Sequence, residues 1–172
     1  MDGVKQADQA VQLRLPDEDA TARFAAWIGA RLGAGDVLLL SGPIGAGKSH
    51  FARALIRSRL PETEAETDIP SPTFTLVQTY QAADGTEIWH ADLYRLTSGD
   101  EIAELGLLDA FDSALCLIEW PDRLGPDTPD AALTLLFTPD DTGDARSLRI
   151  SGGPRHAALL TDIASVKLWT QS

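Results

Sequence analysis

The stretch Ser41–Ser49, SGPIGAGKS, constrains the fold more than any other part of this sequence, because it directly follows the apolar run Val37–Leu40. A short apolar run without alternation is typical of a strand buried on both faces of a parallel sheet. The glycines favour a tight loop after it. Phe51 and Leu55 then mark one face of a helix that ends near Pro61. We therefore predict a strand, a glycine-rich loop and a helix in succession, as in α/β folds.

The loop itself matches the pattern G-x-x-x-x-G-K-[ST] in the required context, with a strand before it and a helix after it. Its glycines allow backbone N–H groups to turn inward around a phosphate, and the helix N-terminus points its positive end at the same place. In this pattern the lysine reaches the β- and γ-phosphates, and the serine hydroxyl binds Mg²⁺. The predicted nucleotide contacts of this segment are Gly42, Pro43, Ile44, Gly45, Ala46, Gly47, Lys48, Ser49 and His50.

A phosphate-binding loop needs an acidic partner for its metal, usually at the carboxyl end of a neighbouring buried strand. Glu119 ends the apolar run Leu115–Ile118, so we predict that it positions the metal or a water, with a solvent-facing carboxylate as the alternative. Asp92 follows the apolar pair Ile88–Trp89, and residue chemistry alone leaves a catalytic acid and a strand-end acid equally open. His90 is interpreted as structural. Trp120 is interpreted either as packing or as a lid over the site.

The rest of the chain predicts further strands and helices around this unit. Strands are predicted over 11–15, 73–80, 87–94, 114–118, 132–137 and 147–150, with Asp84-Gly85 turning 73–80 and 87–94 into a hairpin. Helices are predicted from Pro16 to about Leu32, from the capping box Ser98–Glu101 through Leu108, and over 154–168. The fold class is α/β, with a mixed, mostly parallel sheet that includes the hairpin.

Size and charge limit the function classes. The 172 residues suit one domain, residues 1–172, and the net charge of −12 argues against a main grip on nucleic acid. Cys116 is the one cysteine, within an apolar run, which favours a buried thiol and a reducing compartment. An apolar leader and a membrane-length apolar segment are both missing from the sequence, so we expect a cytoplasmic protein.

Four segments in this order, GPIGAGKS, SPTFTLVQTY, HADLYRL and LIEWPDRL, closely resemble the TsaE (YjeE) family of small bacterial P-loop ATPases. The resemblance spans about 15–124 and implies a three-layer P-loop NTPase-like fold, with ATP and Mg²⁺ as ligands. It also implies partners, TsaB and TsaD, and a role in threonylcarbamoyl modification of the adenosine next to the anticodon of ANN-decoding tRNAs. The resemblance implies that TsaD transfers the group and that ATP hydrolysis helps to reset the complex between turnovers. On that model, tRNA contact is mainly indirect, through the partners.

The resemblance also implies roles for individual residues. Lys48 matches the phosphate lysine, and Ser49 and Glu119 match the magnesium ligands. Asp92 matches an aspartate needed for hydrolysis, and Trp120 matches a tryptophan tied to activity. Two further positions keep two interpretations each: Thr73 lies in a switch-like segment or is an ordinary strand residue, and Glu18 lies near the bound base or is an ordinary helix-start acid.

The chain departs from the family pattern at three positions. Pro43 stands where an acidic residue is usual and removes a backbone donor, Ser49 stands where threonine is frequent, and Ala91 replaces an aromatic beside Asp92. Serine keeps the oxygen that the metal needs.

Two other functions share these features. A small-molecule kinase would need an arginine-rich lid, and Arg53, Arg57 and Arg59 are instead predicted to form the solvated face of the helix after the loop. A nucleotide-gated adaptor without significant turnover would use the same ligands as a slow ATPase.

Overall fold

The computed structural model describes residues 9–64, 66, 68–72, 75–141 and 143–166. Within them one sheet has seven strands in the order β1-β7-β6-β2-β5-β4-β3. The strands are β1 (Gln9–Leu15), β2 (Val37–Ser41), β3 (Val77–Gln81), β4 (Glu87–Asp92), β5 (Leu115–Glu119), β6 (Leu133–Pro139) and β7 (Arg146–Gly152). The helices are α1 (Glu18–Gly29), α2 (Lys48–Arg59), α3 (Gly99–Glu104), α4 (Leu107–Ser113) and α5 (Ala157–Ser165). Short 3₁₀ segments cover Glu62–Glu64, Pro121–Asp127 and Pro154–His156.

The centre of the sheet is parallel and places its polar strand ends together. β2 pairs in parallel with β5 and β6, and β5 also pairs in parallel with β4. Glu119 is in register with Leu40 on one side and with Asp92 on the other. The phosphate loop therefore begins at the edge of the sheet where both acids lie, as the predicted α/β fold requires.

The outer strands are antiparallel. β7 pairs with β1 and β6, and β3 pairs with β4 in the predicted hairpin. The hairpin turn uses Gly85 at a φ of 90°, a left-handed conformation that favours glycine, and the Asp84 carboxylate accepts the Thr86 backbone N–H at 2.9 Å. The sheet is mixed with a mostly parallel middle, which confirms the predicted fold class.

Helices cover both faces of the sheet. On one face α1 and α2 bury Phe24, Ile28, Phe51 and Leu55 against strand residues that include Leu38. On the other face, the alternate residues of β2 and β5 pack against α3 and α4. This core includes the strand residues Val37, Leu39, Cys116 and Ile118 and the helix residues Ile102, Leu107 and Phe111. Because successive strand side chains point to opposite faces, the apolar runs supply both cores.

Several predicted element boundaries are wrong, and the helix predicted to about Leu32 ends at Gly29. The strand predicted over 73–80 begins at Val77, and Thr73 and Phe74 lie outside the described residues. The strand predicted over 87–94 ends at Asp92. The helix predicted through Leu108 divides at Gly106, which has a φ of 75°. A second helix then starts, so Leu108 is exposed instead of lying on the predicted apolar face.

The first and last helices lie close to where the sequence predicts them. α1 is capped by Asp17, whose carboxylate accepts the Ala20 N–H at 2.8 Å. The last predicted helix divides into a 3₁₀ turn and α5, and the prediction beyond residue 166 falls outside the described part of the chain. Among the described helices, none has the length and apolar character to cross a membrane.

Candidate functional site

The phosphate loop joins β2 to α2 and is shaped by glycines in left-handed backbone conformations. Gly42, Gly45 and Gly47 have φ values of 142°, 81° and 103°. A Cβ on Gly42 would lie 2.5 Å from the Phe137 carbonyl oxygen, so the backbone passes close to β6 at this position. Lys48 Nζ donates to the Gly42 carbonyl at 2.5 Å, and the loop closes around its own lysine.

Trp120 packs on the same lysine. The Lys48 ammonium lies 3.5 Å from the centroid of the Trp120 ring. The centroids of the Tyr94 and Trp120 rings are 4.9 Å apart. Burial lowers the pKa of Lys48, and the nearby carboxylates, Glu119 first, only partly offset this. Trp120 itself has a φ of 58°, uncommon for a non-glycine residue, which turns its side chain back over the loop directly after β5. The contact with Lys48 is compatible with both interpretations of Trp120, as packing and as a lid over the site.

The Glu119 carboxylate is divided between two partners. Ser49 Oγ donates to Oε1 at 2.7 Å, and His90 Nε2 lies 2.7 Å from Oε2. Burial raises the pKa of Glu119, but the hydrogen bond and charge of His90, the Ser49 hydroxyl and the Lys48 charge together hold it below its usual value. An ionised carboxylate only accepts hydrogen bonds, so His90 Nε2 is the donor. The predicted metal pair, Ser49 and Glu119, is in direct contact.

Asp92 lies on the neighbouring strand, in register with Glu119, and is buried. Its Oδ1 accepts the Tyr94 N–H at 3.0 Å, and its own N–H donates to the Leu76 carbonyl at 2.9 Å. Strand alternation places His90 and Asp92, two residues apart, on the same face of β4. The three polar residues His90, Asp92 and Glu119 therefore lie together at the sheet edge beside the loop.

A cavity of about 450 Å³ opens at this edge. Predicted site residues that line it are Glu18, Ile44, Gly45, Gly47, Lys48, Ser49, His50, Asp92, Glu119 and Trp120. His50 Nε2 lies 3.1 Å from the Glu18 carbonyl, which joins the start of α2 to the start of α1. Three other predicted residues form the body of the loop, where Lys48 contacts Gly42 and the Ala46 N–H donates to the Pro43 carbonyl at 3.2 Å. Thr73 lies outside the described residues.

Three residues outside the predicted site also line this cavity: Arg53, Tyr94 and Arg146. Arg146 comes from β7 and is buried, and its Nη1 donates to the Ala46 carbonyl at 3.2 Å. A Cβ on Gly47 would lie 1.5 Å from that nitrogen, so the guanidinium occupies space that only glycine leaves open. The alternation of β7 could have shown that Arg146 is inward-facing, but only the sheet order brings it to the loop.

The prediction of a solvated face for the arginines of α2 holds for Arg57 but is wrong for Arg59. The Arg59 side chain is 11% exposed and donates to the carbonyls of Gly29 at 2.7 Å and Leu32 at 2.6 Å. Gly29 is the last residue of α1, where the carbonyls of the last turn lack helical partners, and Leu32 lies in the segment after the helix. Arg59 therefore joins α1 and α2, and Arg53 is among the residues that line the cavity.

The donor set fits a magnesium ion. Ser49 and Glu119 each offer one oxygen, and within the described part of the chain no group of three or more His, Cys, Asp or Glu could hold a metal without other ligands. Mg²⁺ in nucleotide sites commonly takes one or two protein ligands and completes its shell with phosphate oxygens and water. The site therefore has the composition expected when the nucleotide supplies the remaining ligands.

Comparison with known proteins decides the family. The model of the family described as "Threonylcarbamoyl adenosine biosynthesis protein TsaE" matches residues 15–148. The chain belongs to the TsaE family. Among TsaE relatives, the Rickettsia bellii protein is 44% identical over 133 residues, which are 76% of this chain and 89% of the relative. The Haemophilus influenzae TsaE is 34% identical over 66% of this chain and 68% of the relative.

Not every TsaE relative is covered so fully. The Rickettsia felis TsaE is 44% identical over 64% of this chain, and the aligned part is 62% of the relative's length. Among solved structures, the crystal structure of YdiB from Bacillus subtilis superimposes with a TM-score of 0.68 over 93% of this chain and 97% of the other, at 24% identity. That likeness supports the fold, and the TsaE match together with the P-loop indicates a nucleotide-binding protein.

Proposed function

We propose that this chain is a Mg²⁺-dependent ATPase that supports threonylcarbamoyl modification of the adenosine next to the anticodon in ANN-decoding tRNAs. In this proposal it acts through TsaB and TsaD counterparts and does not transfer the group itself. Membership of the TsaE family supports the pathway. The observation that carries the nucleotide chemistry is the convergence of Lys48, the Ser49–Glu119 pair and Asp92 on one cavity.

The phosphate loop would bind ATP through inward-facing backbone N–H groups and the Lys48 ammonium. That ammonium is already buried against Trp120 and the Gly42 carbonyl, so little conformational freedom is lost when it contacts a phosphate. Ser49 and Glu119 would hold Mg²⁺, which neutralises charge on the β- and γ-phosphates. The loop glycines have positive φ values, a backbone conformation that residues with a Cβ rarely adopt.

Asp92 is the proposed hydrolytic residue. It is a buried carboxylate, one strand away from Glu119 and beside Lys48, close enough to contribute to the field at that lysine. A carboxylate in this position could orient a water for attack on the γ-phosphate and accept its proton. Trp120 and Tyr94 would limit the access of bulk water to the same side of the cavity.

The charge of the chain supports the proposed division of labour. At a net charge of −12, the surface on average repels a phosphate backbone, so the tRNA would be held by the partners, in the cytoplasm. The lining of the cavity includes two arginines, Arg53 and Arg146, both near the loop. Arg146 is anchored to the Ala46 carbonyl, as a loop component and not as part of a moving lid.

Phosphate release from ATP tests this function. We would measure it for the chain alone and with its TsaB and TsaD counterparts, with Lys48→Ala as the blank. We expect turnover that is slow alone, rises with the partners and disappears in the blank. Release that requires a small-molecule acceptor would favour a kinase, and tight ATP binding without turnover under any condition would favour a nucleotide-gated adaptor.

A further inference from the structure

His90 is a buried polar residue that the proposed reaction leaves without a role. Its side chain is fully buried on β4, and its Nε2 lies 2.7 Å from Glu119 Oε2. Its other ring nitrogen, Nδ1, has no hydrogen-bond partner among the described residues. A purely structural histidine would be expected to satisfy both nitrogens when buried. Among the described residues, the hydrogen bond that the His90 side chain makes goes to the carboxylate of the candidate metal site.

The geometry separates the two oxygens of that carboxylate. Oε2 accepts from His90, whereas Oε1 accepts from the Ser49 hydroxyl, the other candidate metal ligand. The bond from His90 is an outer-shell contact of the kind that orients a ligating carboxylate, whereas the partner of Oε1 is a hydroxyl that would itself bind the metal. Oε1 therefore remains as the oxygen that faces the phosphate loop.

We propose that His90 is a positioning residue that fixes Glu119 as a one-oxygen ligand through Oε1 and thereby favours Mg²⁺ over Ca²⁺ in the nucleotide site. Mg²⁺ requires near-octahedral geometry with short bonds, which suits a single fixed oxygen. Ca²⁺ accepts more ligands and readily takes both oxygens of one carboxylate. This inference rests on the proposed Mg²⁺–ATP binding and adds the element that sets metal preference.

The test is equilibrium binding of ATP, measured by isothermal titration calorimetry in saturating Mg²⁺, in saturating Ca²⁺ and in EDTA. Three variants divide the possible roles of His90. In His90→Gln the amide nitrogen can take the place of Nε2 and keep the donor. In His90→Asn the same amide is one methylene shorter and cannot reach Oε2, and His90→Leu removes the donor. Thermal unfolding of each variant shows whether it is folded, and Gln and Asn keep the result interpretable if Leu fails to fold.

The ratio of ATP affinity in Mg²⁺ to ATP affinity in EDTA should fall about tenfold in the Asn and Leu variants. This is the lower end of the loss in metal affinity that follows removal of an outer-shell partner. The affinity in EDTA should be unchanged, and the Gln variant should keep most of the gain. The preference for Mg²⁺ over Ca²⁺ should narrow in the Asn and Leu variants, because Oε2 is released.

Two results would overturn the inference, and they are distinguishable. If the wild-type chain binds ATP equally in Mg²⁺ and EDTA, the metal site of the proposed function is wrong, and the role of His90 falls with it. If the wild type shows the Mg²⁺ gain but the Asn and Leu variants keep it, or lose affinity equally in EDTA, only the positioning role is wrong. In that case His90 supports the fold of the sheet edge and not the metal.

Discussion

Replacement of Gly42 by alanine should destabilise the fold through a contact that the phosphate loop cannot relieve. The added Cβ would lie 2.5 Å from the carbonyl oxygen of Phe137 and 3.2 Å from its Cβ. Phe137 is fixed on both sides, since its backbone pairs with Leu148 in β7 and its ring packs against Phe51 at 5.5 Å. The clash therefore falls on a strand that cannot shift alone.

The loss in the free energy of unfolding of Gly42→Ala is the sum of two contributions. An L-residue at a φ of 142° adopts a backbone conformation that favours glycine, at a cost of about 1–3 kcal/mol. Overpacking against a fixed neighbour adds about 1–3 kcal/mol. The sum is about 2–6 kcal/mol. For a chain of this size, each 1 kcal/mol corresponds to about 2–4 °C in Tm, so a mid-range effect is about 8–16 °C.

Gly45→Ala is the matched control. Gly45 lies in the same loop at a φ of 81°, but a Cβ there would meet nothing within 4 Å. Only the left-handed strain remains, about 1–2 kcal/mol. Urea denaturation followed by circular dichroism would give the free energy of unfolding of both variants without nucleotide, and thermal scans would give Tm. Equal losses in the two variants, or a larger loss in Gly45→Ala, would refute the argument that the Phe137 carbonyl sets the requirement for glycine at Gly42.

Three further predictions concern single carboxylates and the cysteine. Asp92→Asn should leave ATP affinity largely intact but lower partner-stimulated phosphate release by about 10²–10⁴-fold, and normal release would remove Asp92 from the mechanism. Burial raises the pKa of Asp36, but hydrogen bonds led by that of His156 hold it below 3.8. The ionised form therefore stabilises the fold above pH 3.8 and loses this effect as pH falls through the folded-state pKa. Asp36→Asn should lower the free energy of unfolding by about 1–3 kcal/mol at pH 7. Urea denaturation should show that the difference between the wild type and the variant becomes smaller below pH 3.8. Burial raises the pKa of Cys116 to about 12, so Ellman's reagent at pH 8 should label the thiol only after denaturation, and rapid labelling of the native chain would contradict its burial.

The elements that could be predicted from the sequence are those whose determinants are local. The strand, loop and helix around Gly47 follow from four apolar residues, a glycine pattern and an amphipathic face, all within about twenty positions of the chain. The hairpin at Asp84-Gly85 is likewise local turn chemistry. The division at Gly106 was missed because the periodic apolar residues continue through it, while the left-handed glycine ends one helix and starts another.

The site was predictable only in part for a different physical reason. Glu119 could be placed because parallel strands end at one edge of a sheet, a rule that needs no knowledge of the neighbours. For Asp92 residue chemistry left two interpretations open, and only the family resemblance favoured the hydrolytic one. Arg146 could not be placed in this way. It lies 100 positions from Ala46, the residue whose carbonyl it contacts, and the contact depends on β6 lying between β2 and β7. Long-range register has no signature in a single sequence.

Arg146 and His90 together explain how the loop is supported from both directions along the sheet. β7 brings a guanidinium to the Ala46 carbonyl, and β4 brings an imidazole to the carboxylate that faces Ser49. Both donors are buried, so each holds its acceptor in a medium where the hydrogen bond is strong and its loss is costly. A loop built from glycines has little rigidity of its own. The fixed geometry that nucleotide chemistry requires must therefore come from the neighbouring strands, and a substitution on β4 or β7 should change the behaviour of the loop without touching its sequence.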